Sequence, residues 1–104
     1  MVNLVLYLSD ENKARTLVTT LLQKKLIAHA SIATSRETLS ALDGKLNVNL
    51  ECVITAQTKA VLFEEISRLV TENYGNEIRI FSIPIAQCND SFSEVIRTET
   101  KDPG

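Results

Sequence analysis

The sequence predicts a single α+β domain in the order strand, helix, strand, strand, helix, strand, with a short helix at the end. Three observations lead to this prediction. The length of 104 residues suits one compact domain. Apolar residues recur at every second position in some segments and at every third or fourth position in others. One tight-turn signal, Asp43-Gly44, separates two long alternating segments.

The first half of the chain has the pattern of a strand, a helix and a second strand. Residues 3–8 are apolar at nearly every position, which is typical of a strand buried on both faces. Ser9 or Asp10 is expected to cap the following helix. Residues 26–34 then alternate and predict the second strand. The helix is predicted because its apolar residues share one face: Ala14, Leu17, Val18, Leu21 and Leu22.

The second half begins with a hairpin. Residues 46–56 alternate after the Asp43-Gly44 turn, so the second and third strands form a long antiparallel pair. Thr58 is expected to cap the second helix, and Gly75 supplies its exit.

The C-terminal part contains a strand and a short helix. The fourth strand is predicted at about 78–85, and Ser91 with Glu94 forms a capping box for the last helix. Residues 1–97 therefore form the domain, and residues 98–104 form a polar tail.

Two βαβ halves of this kind form a ferredoxin-like sandwich with both long helices on one face of the sheet. The opposite face carries more apolar residues than a solvated sheet face usually has. We therefore expect a further copy of the chain to cover it in a symmetric oligomer. The residues expected on that face are Val5, Tyr7, Ile27, Ala33 and Val53.

Composition excludes several classes of protein. Apolar residues make up 44% and charged residues 23%, as in ordinary globular proteins. The net charge of -2, without a basic stripe, argues against a nucleic-acid partner. No apolar run reaches the length of a membrane span, and the first residues lack the pattern of a signal peptide. We therefore expect no membrane partner and a cytoplasmic location.

The sequence contains no recognisable catalytic motif, so we expect a protein that is not an enzyme. No nucleophile elbow occurs, and three glycines provide no phosphate-binding loop. His29 has no neighbouring acid in sequence to orient it. Cys52 and Cys88 are far apart and are expected to be small buried hydrophobic residues.

Several segments resemble the CutA divalent-cation tolerance family, and the resemblance extends over almost the whole chain. Leu26-Ile27-Ala28 is similar to the family's run from its first helix into its second strand. Asp43-Gly44-Lys45 resembles the family's hairpin turn. Ile83-Pro84-Ile85, with Phe92 through Ile96 in register after it, resembles the family's last strand and final segment.

The resemblance implies a homotrimer whose long hairpins pair across subunits, similar in architecture to the PII signalling proteins. It also implies a link to copper and other divalent metals. His29 occupies the place of a cysteine in the family's second strand, and imidazole binds the same borderline metals, copper or zinc. His29 is therefore the first candidate metal ligand.

Three further residues are weaker candidates. Glu77, as a metal ligand, and Tyr74, as a contact for another ligand, lie where the family has its histidine and proline signature. Cys88 precedes a helix start, where the helix dipole favours a thiolate that can bind metal. Each candidate also has a simpler interpretation. His29 then lies at an interface, Tyr74 and Glu77 belong to a surface loop, and Cys88 is an idle thiol.

Two other functions remain open alongside metal tolerance. One is a trimer of PII type that senses a small molecule or a nucleotide in clefts between subunits. The other is a structural trimer, or one that binds an unknown protein partner, without ligand chemistry.

Overall fold

A computed structural model describes residues 1–103. The elements follow the predicted order: β1 Val2–Leu8, α1 Glu11–Gln23, β2 His29–Leu42, β3 Lys45–Thr58, α2 Phe63–Tyr74, β4 Arg79–Pro84 and α3 Asp90–Glu99. The sheet order is β2-β3-β1-β4, and all neighbouring strands are antiparallel. The predicted ferredoxin-like α+β fold is therefore confirmed. Within residues 1–103 the helices are too short and too polar to cross a membrane.

The core lies between one face of the sheet and helices α1 and α2. β1 and the adjacent half of β3 contribute the side chains that point towards the helices, and each helix contributes one apolar face. The largest of these side chains are completely buried: Leu4, Leu6, Leu17, Leu21, Ile54 and Ile66. The periodicity of the sequence predicted all six because burial on one side of a strand or helix requires that spacing.

Two expectations about helix starts have different outcomes. Asp10 caps α1, since its carboxylate accepts a hydrogen bond from the backbone N–H of Lys13 at 3.1 Å. The prediction that Thr58 caps α2 is wrong. Thr58 is the last residue of β3, and its buried hydroxyl donates to the carbonyl oxygen of Leu26 at 2.5 Å. A turn of 3-10 helix at residues 60–62 separates it from α2.

The capping box predicted for α3 is also wrong. The cap is Asn89, whose extended backbone has the usual cap geometry and whose side-chain oxygen accepts from the N–H of Phe92 at 3.0 Å. The hydroxyl of Ser91 donates to the same oxygen. Glu94 forms an ion pair with Arg97 instead of folding back to the helix start. α3 ends at Glu99, beyond the predicted start of the tail.

The residues after α3 are anchored to the domain. Thr100 is buried, and the backbone N–H of Lys101 donates to the carbonyl oxygen of Lys25 at 2.8 Å. The ammonium group of Lys59 donates to the carbonyl oxygens of Thr100 and Lys101 at 3.1 and 3.3 Å. The expected polar tail is therefore, over residues 98–101, part of the packed structure. The last residue, Gly104, lies outside the described residues.

The second strand starts later than predicted and is much longer. It begins at His29, because Leu26 and Ile27 are buried in the connection before it, and it continues to Leu42. The register shifts between Ala33 and Arg36, and Ser35 has a φ of 56°. This bulge adds one residue to β2, because two residues of β2 stand opposite Cys52 alone, and it keeps Ala33 and Arg36 on the same face of the sheet. β2 and β3 therefore have 14 residues each, whereas β1 has 7 and β4 has 6.

The assignment of the core can be tested with neighbouring leucines of α1. We expect Leu21→Ala to lower the free energy of unfolding by about 2–5 kcal/mol, because the deletion leaves a cavity under the sheet. Leu6→Ala is expected to have a similar effect. Leu22→Ala is the control, since that side chain is 41% exposed, and it should cost less than about 1 kcal/mol. Urea unfolding measures all three. Equal losses at Leu21 and Leu22 would show that the buried face of α1 is wrongly assigned.

Candidate functional site

The first candidate, His29, lies on the sheet face opposite α1 and α2, which is called the open face below. Strand pairing places four residues in one row across this face: His29, Gln57, Asn3 and Ile83. The imidazole is exposed, and its ring stands at right angles to the ring of Phe92 with the centroids 6.0 Å apart. His29 therefore lies beside the first turn of α3.

Glu77 lies in the connection between α2 and β4 and already has a partner. Its carboxylate accepts a hydrogen bond from the ammonium group of Lys13 at 3.0 Å. This hydrogen bond and the negative charge of Glu77 raise the pKa of Lys13 above its ordinary value. Tyr74, the last residue of α2, is half-buried against the core and lines a groove between α1 and α2. Glu77 and Tyr74 line different cavities.

The two cysteines have different environments. Cys52 is buried in the core, as predicted. Cys88 is exposed, so the prediction of a buried residue is wrong there. The cause is its position in the connection between β4 and α3, which leaves the sheet and runs over the surface. Cys88 lines a cleft together with Phe92, at the same end of the open face as His29.

The candidate residues do not form one site in a single chain. His29 lies in the row of Asn3, whereas Arg79, which lines the same cavity as Glu77, lies in the row of Tyr7. Four positions along β1 correspond to about 13 Å. Among residues 1–103 no three side chains of histidine, cysteine, aspartate or glutamate come close enough to hold a metal ion. The described residues of one copy therefore provide no preformed set of three ligands for a divalent metal.

An interaction that sequence reasoning missed crosses the open face at the base of the hairpin. Arg79 of β4 donates from Nη2 to both carboxylate oxygens of Glu51 at 2.7 and 2.6 Å. The guanidinium carbon lies 4.8 Å from the ring centre of Tyr7, and Tyr7 stacks on Phe81 at 6.2 Å. The Glu51 side chain is only 12% exposed. Arg36 is the neighbour of Glu51 in register but makes no ion pair within residues 1–103.

The uncovered apolar surface lies partly on the open face, as predicted, since Phe81 and Ile83 of β4 are 42% and 48% exposed there. Of the five residues expected to be uncovered on the open face, Val5, Ile27 and Val53 are buried within one chain. A second exposed surface is on the hairpin, where one face of the two strands is aliphatic. Its members, called the hairpin ribbon below, are 55–71% exposed: Leu39, Leu46, Val48 and Leu50.

These features define a class of α+β protein with a four-stranded antiparallel sheet and two helices on one face. Its central hairpin extends beyond the other two strands of the sheet. The sequence model of the CutA1 divalent ion tolerance proteins matches residues 2–99. The chain therefore belongs to the CutA1 divalent ion tolerance family. No curated protein sequence matches it.

Solved structures of this family share the fold over the whole chain. A D60A variant of CutA1 from Pyrococcus horikoshii has a TM-score of 0.88 at 24% identity, covering 98% of this chain and 100% of the other. CutA1 from Oryza sativa has a TM-score of 0.90 at 17% identity, covering 98% and 94%. The CutA protein of Archaeoglobus fulgidus, described as periplasmic, has a TM-score of 0.84 at 23% identity, covering 97% and 100%.

The ion pair across the open face should stabilise the fold more than an ordinary surface pair. We expect Arg79→Gln to lower the free energy of unfolding by about 1–3 kcal/mol, because it leaves the largely buried carboxylate of Glu51 without a cationic partner. Arg97→Gln is the matched control. It removes an exposed arginine–glutamate pair within α3 and should cost at most about 0.5 kcal/mol. Equal effects in thermal or urea unfolding would contradict a special role for Arg79.

Proposed function

We propose that this chain acts without catalysis, as a cytoplasmic homotrimer, in tolerance of divalent metal ions. Membership of the CutA1 family supports the role in ion tolerance. The observation that carries the proposed assembly is the hairpin ribbon, an aliphatic surface that a single copy leaves in water.

The hairpin requires a partner for physical reasons. Beyond the pair Leu8–Cys52, β2 is the only strand beside β3 within residues 1–103. A two-stranded ribbon is marginally stable in water by itself. Contiguous exposed aliphatic side chains mark contact surfaces. Closed symmetry among copies of one chain is the commonest way to cover such a surface.

Assembly would also supply the ligands that a metal ion needs. One copy provides a single imidazole and no cluster of three metal ligands within residues 1–103. A three-fold axis turns one exposed side chain into three, and three imidazoles are a known ligand set for zinc. We therefore propose that copper or zinc binds to the trimer and that His29, exposed on the open face, provides the ligands from each copy.

The assembly can be tested by placing a charge on the ribbon. The unmodified protein should have the mass of a trimer in light scattering, and Val48→Asp should reduce it to the mass of a monomer, since a carboxylate there would be desolvated in the contact. Asn49→Asp is the control, because it adds the same charge at the adjacent position on the other face of β3. A monomeric unmodified protein, or a Val48→Asp variant that remains trimeric, would contradict the proposed contact.

Metal binding can be measured by titration calorimetry with copper and with zinc. We expect His29→Ala to abolish uptake while light scattering still reports a trimer. Metal coordination needs the deprotonated ring nitrogen and so competes with protons, and uptake should weaken on acidification. Cys88→Ser and Glu77→Gln are controls that should retain binding. Loss of the trimer in His29→Ala without any metal effect would favour an interface role. No metal uptake by the unmodified trimer would favour a purely structural assembly.

A further inference from the structure

The groove between α1 and α2 lies away from the surfaces that are expected to contact another copy. Its lining residues all belong to α1, to α2 or to Lys24, the residue after α1. The cavities beside α3 and at the base of the hairpin all include residues of the open face or of the hairpin. The volume of the groove is about 480 Å³, within the usual range for sites of small molecules. A ligand in this groove therefore leaves the open face and the hairpin available for assembly.

The two helices run antiparallel, which defines the two ends of the groove. α1 follows β1 and α2 follows β3, and these two strands are antiparallel. At one end Lys101 connects the helices, since its backbone N–H donates to the carbonyl oxygen of Lys25 and its ammonium group donates to Glu65. At the other end Lys13, in the first turn of α1, donates to Glu77, three residues after α2. The end of α1 therefore lies beside the start of α2, and the start of α1 lies beside the end of α2.

The groove carries opposite charges in its two halves. Lys24 and Arg68 line the half nearer the start of α2, and neither makes an ion pair within residues 1–103. The carboxylate of Glu65 in this half is neutralised by Lys101. Glu72 lines the other half and also makes no ion pair with the residues that the structure describes. One half of the groove is therefore positive and the other is negative.

Apolar groups lie beneath these charges. Leu17 is completely buried, and Leu69 and the ring of Tyr74 are half-buried, so all three line the base of the groove. Such groups can pack against the methylene groups of a ligand. An exposed contact between Arg68 and Glu72 across one helical turn would contribute little to stability. A ligand that takes both side chains as partners therefore displaces no strong interaction.

The geometry points to a binding site for a small zwitterion, whose carboxylate contacts Lys24 and Arg68 and whose amino group contacts Glu72. Arg68 and Glu72 are four positions apart in α2, which corresponds to about 6 Å along the helix axis. A linear amino acid with several methylene groups between its two charged groups suits this separation and the apolar base. A ligand with a single charge would leave one half of the groove without a partner.

The test is an NMR titration of the assembled protein at low ionic strength with three probes: 5-aminopentanoate, pentanoate and pentylamine, which is protonated at neutral pH. 5-Aminopentanoate should give saturable shifts at residues of the groove. It should bind about fivefold more tightly than either of the other probes, because only the zwitterion makes both charged contacts. Its binding should weaken when salt is added, since the charged side chains of the groove are exposed.

Two variants separate the two halves of the site. Arg68→Gln should weaken 5-aminopentanoate and pentanoate about threefold without weakening pentylamine, and Glu72→Gln should weaken 5-aminopentanoate and pentylamine without weakening pentanoate. Arg15→Gln and Glu64→Gln are the controls, because they remove the same charges from exposed positions of α1 and α2 outside the groove, and they should change no affinity. Absence of saturable binding by 5-aminopentanoate, or equal affinity for all three probes, overturns the proposal. Unchanged affinities in Arg68→Gln and Glu72→Gln overturn it as well.

Discussion

The constraint on which the rest of this structure depends is the difference in length between the strands. The pairing of β1 with β3 ends at Leu8 and Cys52, and within residues 1–103 the hairpin beyond that point is held by the pairing of β2 with β3 alone. In the part of the sheet where β1 pairs with β3, helices α1 and α2 cover one face. After it, the same alternation of apolar and polar residues continues into water. The hairpin therefore continues the alternation of apolar and polar residues found in the core. Packing within one chain does not account for its apolar side chains.

The base of the hairpin is fixed from the open face rather than from the core. Arg79 reaches across β1 to Glu51, at the residue where β3 loses its second neighbour. The guanidinium also covers the ring of Tyr7. An ion pair at this place can limit the bending of the hairpin against the body of the sheet, because it connects the opposite edge strand to the hairpin's first unsupported residue. The direction in which the ribbon is presented then depends on two side chains.

The sequence predicted the buried faces of strands and helices, which depend on local periodicity. It did not predict which of several candidate residues caps a helix, because tertiary contacts decide this. The faces of β1 and α1 follow from spacing, since burial imposes it on residues such as Leu6 and Leu21. The helix starts were harder, because Thr58, Ser91 and Asn89 all have cap-type side chains and tertiary contacts decide which of them is used. The same limitation applied to the site. The nearness of His29 to Phe92, and the distance of both from Glu77, follow from strand register and the path of α3, which no local pattern encodes.

The bulge before the hairpin arm has a consequence for how the arm can change in evolution. Side chains alternate between the faces of a strand, so an insertion or deletion of one residue between Arg36 and Leu39 would carry every later side chain of that strand to the other face. Leu39 would then exchange places with its polar neighbours, while Val48 and Leu50 of the partner strand would stay where they are. Changes of two residues, or one residue combined with a second bulge, preserve the pattern. Hairpin strands of related proteins should therefore differ in length mainly by an even number of residues. A difference of an odd number should be accompanied by a bulge at another position.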